Sequence, residues 1–146
     1  MEPLFLADDD ATAALGRRLA AVLRPGDLIL LHGDLGAGKT ALARTIVRTL
    51  MSDDSLDVPS PSFALLQPYD GTGVSILHTD LYRIRDPREV DELGLFDQPQ
   101  TIVLCEWPER GGEEFLSRAT GEVSLSIPPS GDGRLASVAF ADGRQF

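Results

Sequence analysis

Gly33-Asp34-Leu35-Gly36-Ala37-Gly38-Lys39-Thr40 stands between two stretches of opposite character. Before it runs Asp27 to His32 (DLILLH), an apolar segment of the kind that forms a strand buried on both faces of a parallel sheet. After it, Lys39 to Met51 reads as a helix. The octapeptide meets G-x-x-x-x-G-K-[ST] at every fixed position, and strand before, helix after is the context that gives this pattern its chemistry. Its glycines reach backbone angles that other residues avoid, so successive N–H groups can turn inward around an anionic phosphate. The helix beginning at Lys39 adds the positive end of its dipole. On this reading Gly33, Asp34, Leu35, Gly36, Ala37, Gly38, Lys39 and Thr40 hold the phosphates of ATP. Lys39 reaches the β- and γ-phosphates as a point charge, and the Thr40 hydroxyl is offered to Mg²⁺.

Composition sharpens the assignment. Of thirteen basic residues twelve are arginine, and Lys39 is the only lysine. A chain so biased toward arginine uses a compact ammonium at the one place where a guanidinium fork would not fit the task. With 146 residues, 42% of them hydrophobic, the chain is long enough for one domain, 1–146, with a packed core. The formal net charge is −10, which repels phosphate backbones and excludes strong autonomous nucleic-acid binding. No apolar run is long enough to span a bilayer, so no membrane segment is expected. Met1-Glu2-Pro3 lacks the positive start of a secretory signal, and a single cysteine, Cys105, fits a reducing, cytoplasmic setting.

Outward from the glycine-rich loop, Pro3 to Leu6 reads as a short strand and Asp10 to Leu23 as a helix, with Asp8, Asp9 and Asp10 as candidate N-caps. Ser62 to Pro68 and Val74 to Thr79 read as two strands joined by a turn over Tyr69 to Gly73. Pro87 to Leu93 reads as a short helix closed by Gly94, and Glu113 to Arg118 as a helical turn. Thr101 to Glu106 (TIVLCE) is a second buried strand. Glu122 to Ile127 and Leu135 to Phe140 alternate like antiparallel strands at the sheet edge. The fold class expected is α/β: a single P-loop NTPase domain, its mainly parallel central sheet flanked by helices, with antiparallel strands at the C-terminal edge.

A site of this kind needs an acid near Mg²⁺ or the attacking water. Glu106 ends the apolar strand TIVLCE, and ligands of open α/β sheets sit beyond the carboxyl ends of strands. Asp80, after VSILHT, reaches for the same crevice. Thr40 and Glu106 are therefore the candidate metal contacts, and Lys39, Asp80 and Glu106 the candidate catalytic set. Trp107 either fixes the turn after Glu106, forms a partner surface or simply packs. His78, two residues before Asp80, is a metal ligand or, in the blander reading, a half-buried hydrogen-bonded ring. His32 and Cys105 read as structural. Arg83, Arg85 and Arg88 are a solvated loop or a contact for a γ-phosphate or an acidic partner.

Four motifs in order, GDLGAGKT at Gly33 to Thr40, SPSF at Ser60 to Phe63, HTDLYR at His78 to Arg83 and EWPE at Glu106 to Glu109, resemble the TsaE family. This is the small ATPase of bacterial tRNA threonylcarbamoyladenosine synthesis. The resemblance runs from about Asp10 to Glu109. It implies that Lys39 and Thr40 contact phosphate and Mg²⁺, that Ser60 to Phe63 is a switch-like loop with Ser62 beside the γ-phosphate, and that Asp80 and Glu106 are needed for hydrolysis. Trp107 would belong to the wall of that site. Ser62 stands where the family usually has Thr and keeps the hydroxyl. Ala41 stands where a second Thr is frequent, so that hydroxyl is missing. The resemblance further implies docking on the TsaB–TsaD pair, where TsaD carries the transferase site and ATP hydrolysis resets the complex. The modified base is the adenosine next to the anticodon.

Three rival functions follow from the same loop. A small-molecule kinase would need an arginine-bearing lid, for which only Arg83 to Arg88 is available. A GTPase would need Asn-Lys-x-Asp, which a chain whose single lysine is Lys39 does not contain. A non-hydrolysing adaptor would be indifferent to Glu106→Gln. Hydrolysis is expected to be slow without a partner, for want of a clear arginine finger in the chain itself.

Overall fold

The computed structural model describes residues 3–146; Met1 and Glu2, on which part of the leader reading rests, lie outside it. Leu28–His32 forms a strand, β2 in chain order after β1 (Leu4–Leu6), and the helix α1 (Asp9–Ala20) lies between them. Leu28, Leu30, Val103 and Cys105 enter one hydrophobic cluster, and Ile29, Leu31, Ile102 and Leu104 enter another. This alternation follows from the two-residue period of a strand, and it explains why β2 and β5 (Ile102–Glu106) read as unbroken apolar runs: both faces of each are covered.

Among the described residues seven strands form one sheet in the order β1-β7-β6-β2-β5-β4-β3, where β3 is Leu66–Gly71, β4 Val74–Asp80, β6 Gly121–Ser126 and β7 Arg134–Phe140. The central neighbours β6/β2, β2/β5 and β5/β4 are parallel, while β1/β7, β7/β6 and β3/β4 are antiparallel. Helices α1 and α2 (Lys39–Met51) supply the cover on one face, with Leu15, Leu19, Leu42 and Ile46 fully buried. On the other face lie Leu81, Ile84, Val90 of α3 (Glu89–Glu92) and Phe115 of α4 (Gly112–Ser117).

Several elements depart from the sequence reading. Of the three candidate N-caps, Asp8 caps α1, its carboxylate accepting from Ala11 N at 2.9 Å, and the helix starts at Asp9 rather than Asp10. The helix stops at Ala20 rather than Leu23, because Arg24 N donates to Asp27 Oδ2 at 2.7 Å and pulls the chain into a turn. Strand β3 starts at Leu66, not Ser62: Leu65 takes a left-handed φ of 70° and its N–H donates to Pro61 O, which coils Pro61 to Leu65 into a loop. The hairpin turn then narrows to Thr72 and Gly73, since Gly71 still pairs with Val74. Strand β6 lies inside the sheet against β2, so only β7 and β1 form the far edge. Its buried Gly121, Val123 and Leu125 make it part of the core rather than surface.

Candidate functional site

The parallel strands β2, β4 and β5 all end at one rim, and the loop Gly33 to Gly38 leaves from it. Gly36 and Gly38 take φ values of 82° and 106°, left-handed backbone that suits glycine and turns the loop around the start of α2. A Cβ on Gly36 would meet nothing within 4 Å, so its freedom serves the backbone path rather than packing.

Lys39 is 5% exposed. Its Nζ donates to Gly33 O and to Asp34 O, the latter at 3.2 Å, and sits 3.7 Å from the centre of the Trp107 ring. Burial lowers its pKa, and Glu106, Glu109, Asp80 and Asp34 oppose that shift by favouring the ammonium. Trp107 reaches this place because its backbone is left-handed, φ 55°, immediately after β5; its ring also packs on Tyr82 at 4.9 Å between centroids.

Thr40 Oγ1 donates to Glu106 Oε1 at 2.8 Å and approaches Oε2 at 3.1 Å. Glu106 is 2% exposed. Strand register sets Asp80 opposite Glu106. Asp80 Oδ1 accepts from Tyr82 N at 2.9 Å, and Oδ2 accepts weakly from Ser60 and Ser62 Oγ at 3.4 and 3.5 Å. Burial raises the Asp80 pKa; the Tyr82 N–H lowers it in part, and the Glu106 charge raises it further.

Lys39, Thr40, Ser62, Asp80, Glu106 and Trp107 thus share one cleft, with a cavity volume of about 460 Å³. Leu35, Gly36 and Gly38 line it too, whereas Gly33, Asp34 and Ala37 face a neighbouring recess beside Leu125 and Ile127. A hydroxyl oxygen and a carboxylate oxygen at hydrogen-bond distance are hard donors of the type Mg²⁺ takes. No cluster of three or more His, Cys, Asp or Glu suited to a metal exists among the described residues.

The blander expectation for His78 needs revision in one respect. The ring is hydrogen-bonded, but fully buried rather than half-buried, with Nε2 2.6 Å from Glu106 Oε2. His-x-Asp spacing, which suggested a metal site, puts His78 and Asp80 on one face of β4, and the pairing of β4 with β5 brings Glu106 to the ring. His32 pairs with Glu122 at 2.9 Å, and the Cys105 thiol is buried with its pKa pushed up, both structural in character. Arg83 and Arg88 go to different partners: Arg83 stacks on the exposed Phe63 ring at 4.1 Å beside the cleft, while Arg88 is tied to Asp86.

Such a loop, in such a sheet, places the chain in the P-loop class of α/β proteins. The model of the family "Threonylcarbamoyl adenosine biosynthesis protein TsaE" matches residues 6–134, and the chain belongs to the TsaE family. Curated relatives carry the name "tRNA threonylcarbamoyladenosine biosynthesis protein TsaE". That of Rickettsia felis is 40% identical over 107 residues, 73% of this chain and 62% of that one. That of Rickettsia typhi is 38% identical over 123 residues, 84% of each chain. That of Streptomyces coelicolor is 35% identical over 123 residues, 77% of this chain and 83% of that one. The chain spans about three-fifths of the Rickettsia felis and Rickettsia conorii relatives, 62% and 59%. The crystal structure of Bacillus subtilis YdiB shares the fold, with a TM-score of 0.72 at 21% identity over 96% of this chain and 86% of that one. No helix among the described residues is long and apolar enough to cross a membrane.

Proposed function

We propose that this chain binds ATP with Mg²⁺ in the cleft above β2, β4 and β5, hydrolyses it, and thereby serves tRNA N6-threonylcarbamoyladenosine formation by acting on the TsaB–TsaD complex. The observation that carries the reading is the contact of the Thr40 hydroxyl with Glu106 at 2.8 Å, at the mouth of a glycine loop that also holds the only lysine. Thr40 and Glu106 would hold Mg²⁺, which supplies positive charge against the phosphate oxygens. Inward N–H groups of the loop bind the phosphates, and Lys39 exchanges the loop's own carbonyls for phosphate oxygens. Asp80 and Glu106 orient water on the far side of the terminal phosphate, and Ser62 offers a hydroxyl there. Trp107 and Tyr82 wall the cleft and exclude bulk water.

Without a partner the rate is slow, since Arg83 lies on Phe63 and Arg88 on Asp86. The same scatter of arginines speaks against the lid of a small-molecule kinase. A net charge of −10 is suited to a subunit that leaves the RNA to others.

The test is phosphate release by the chain alone and with the TsaB–TsaD pair of the same organism. Turnover that depends on Glu106 and changes on adding the pair supports the proposal. Turnover indifferent to the pair, or phosphate transferred to a small molecule, contradicts it.

A further inference from the structure

Glu106 is held from two sides. Thr40 Oγ1 donates to Oε1 at 2.8 Å, and His78 Nε2 stands 2.6 Å from Oε2. The sheet produces this approach. Strands β4 and β5 run parallel with His78 opposite Leu104 and Asp80 opposite Glu106. Side chains two apart share a face, so His78 and Glu106 meet diagonally. Against an ionised carboxylate, which only accepts, Nε2 would be the donor of this bond.

The other ring nitrogen, Nδ1, is buried without a hydrogen-bond partner among the described residues. A buried polar atom left unmatched costs about 1–3 kcal/mol. An apolar side chain of similar volume would fill the space without that penalty, since Ile76, two residues earlier on β4, and Leu104, opposite on β5, are both buried. The imidazole is therefore poorly explained as filler and well explained by what Nε2 does to Glu106.

We infer that His78 is a positioning residue: its Nε2–H fixes Oε2 of Glu106 so that Oε1 faces the Thr40 hydroxyl and the phosphate end of the cleft. This deepens the ATPase reading and rests on it. Outer-shell partners of a ligating carboxylate typically matter by about 10–100-fold.

Two measurements on the full chain test the inference. The chain has only two histidines, so long-range proton–nitrogen NMR, with His32→Gln to assign the second ring, reads the His78 tautomer directly. The Nε2–H form with a bare Nδ1 is expected; an Nδ1–H form overturns the inference whatever the enzyme does. In phosphate-release assays His78→Leu should lower kcat at least about 10-fold while KM for ATP moves less than about 3-fold. His78→Gln, whose side-chain amide can stand where Nε2 stands, should recover most of the loss. Turnover that needs Glu106 but is unmoved by His78→Leu overturns this inference alone, as does an equal loss in both variants that follows their melting temperatures. Turnover indifferent to Glu106 removes the ATPase reading and this inference together.

Discussion

Lys39 exchanges water for two loop carbonyls and the face of Trp107; burial lowers its pKa, and four surrounding carboxylates oppose that shift. Under the proposed binding mode, Lys39→Ala deletes the charge-assisted contacts to phosphate. At about 1.5 kcal/mol or more each, two such bonds correspond to at least about a 100-fold loss of ATP affinity, measurable by calorimetric titration. Asp80 shows the opposite balance, since burial raises its pKa above the ordinary 3.8. A carboxyl whose folded pKa is raised contributes stability that is fully present below pH 3.8 and is lost as pH rises through the folded value. Nucleotide-free Asp80→Asn should therefore melt above the wild type at pH 7 and level with it in acid; equal melting curves at both pH values would contradict the assignment. At this scale the glycine loop, Asp80 and Glu106 were legible because each stands at a strand end with a recognisable neighbour. The family resemblance already implied that Trp107 walls this cleft, as it does; its stacking on Lys39 was not legible, because a left-handed turn after β5 leaves no periodic trace in the sequence.

Elements meet where glycine permits it. Gly16 of α1 lies against Thr45 of α2, and a Cβ there would stand 2.7 Å from Thr45 Cβ and Cγ2. Alanine normally stabilises a helix interior relative to glycine by about 0.5–1 kcal/mol. Here overpacking, about 1–3 kcal/mol, outweighs that gain, so Gly16→Ala should lower the guanidinium midpoint without changing the slope. A raised midpoint would show that the two helices can part at no cost. The buried strands β2 and β5 were readable from unbroken apolar runs. Two features escaped for physical reasons. Strand β6 alternates buried and exposed residues like an edge strand, yet its inner place is set by pairing with β2, a partner about ninety residues away in sequence. The loop Pro61 to Leu65 has strand-like composition but gives its backbone bond to a turn, Leu65 N to Pro61 O at 2.8 Å.

For the molecule as a whole, the C-terminal segment is clamped to the turn ahead of β2, at the end of that strand away from the P-loop cleft. Arg144 donates to Asp27 Oδ2 and Oδ1 at 2.7 and 3.0 Å, to Val22 O at 2.8 Å and to Asp142, and its pKa is raised by these bonds. Arg144→Ala leaves the buried Asp27 short of partners and should cost about 1.5–3 kcal/mol in denaturant unfolding. The Arg144 contact also lowers Asp142 to about 2. Its contribution is present above pH 3.8 and lost as pH falls toward 2, so the wild type should lose this part of its stability only in strong acid. The rim of β2, β4 and β5 lies clear of that clamp, and the function proposed for it is hydrolysis of ATP in a P-loop cleft, driven by Glu106. The most direct measurement is ATP binding and phosphate release side by side for wild type and Glu106→Gln. Binding within a few-fold of wild type with turnover reduced about 100-fold or more is the expected result. Unchanged turnover in Glu106→Gln would contradict the account.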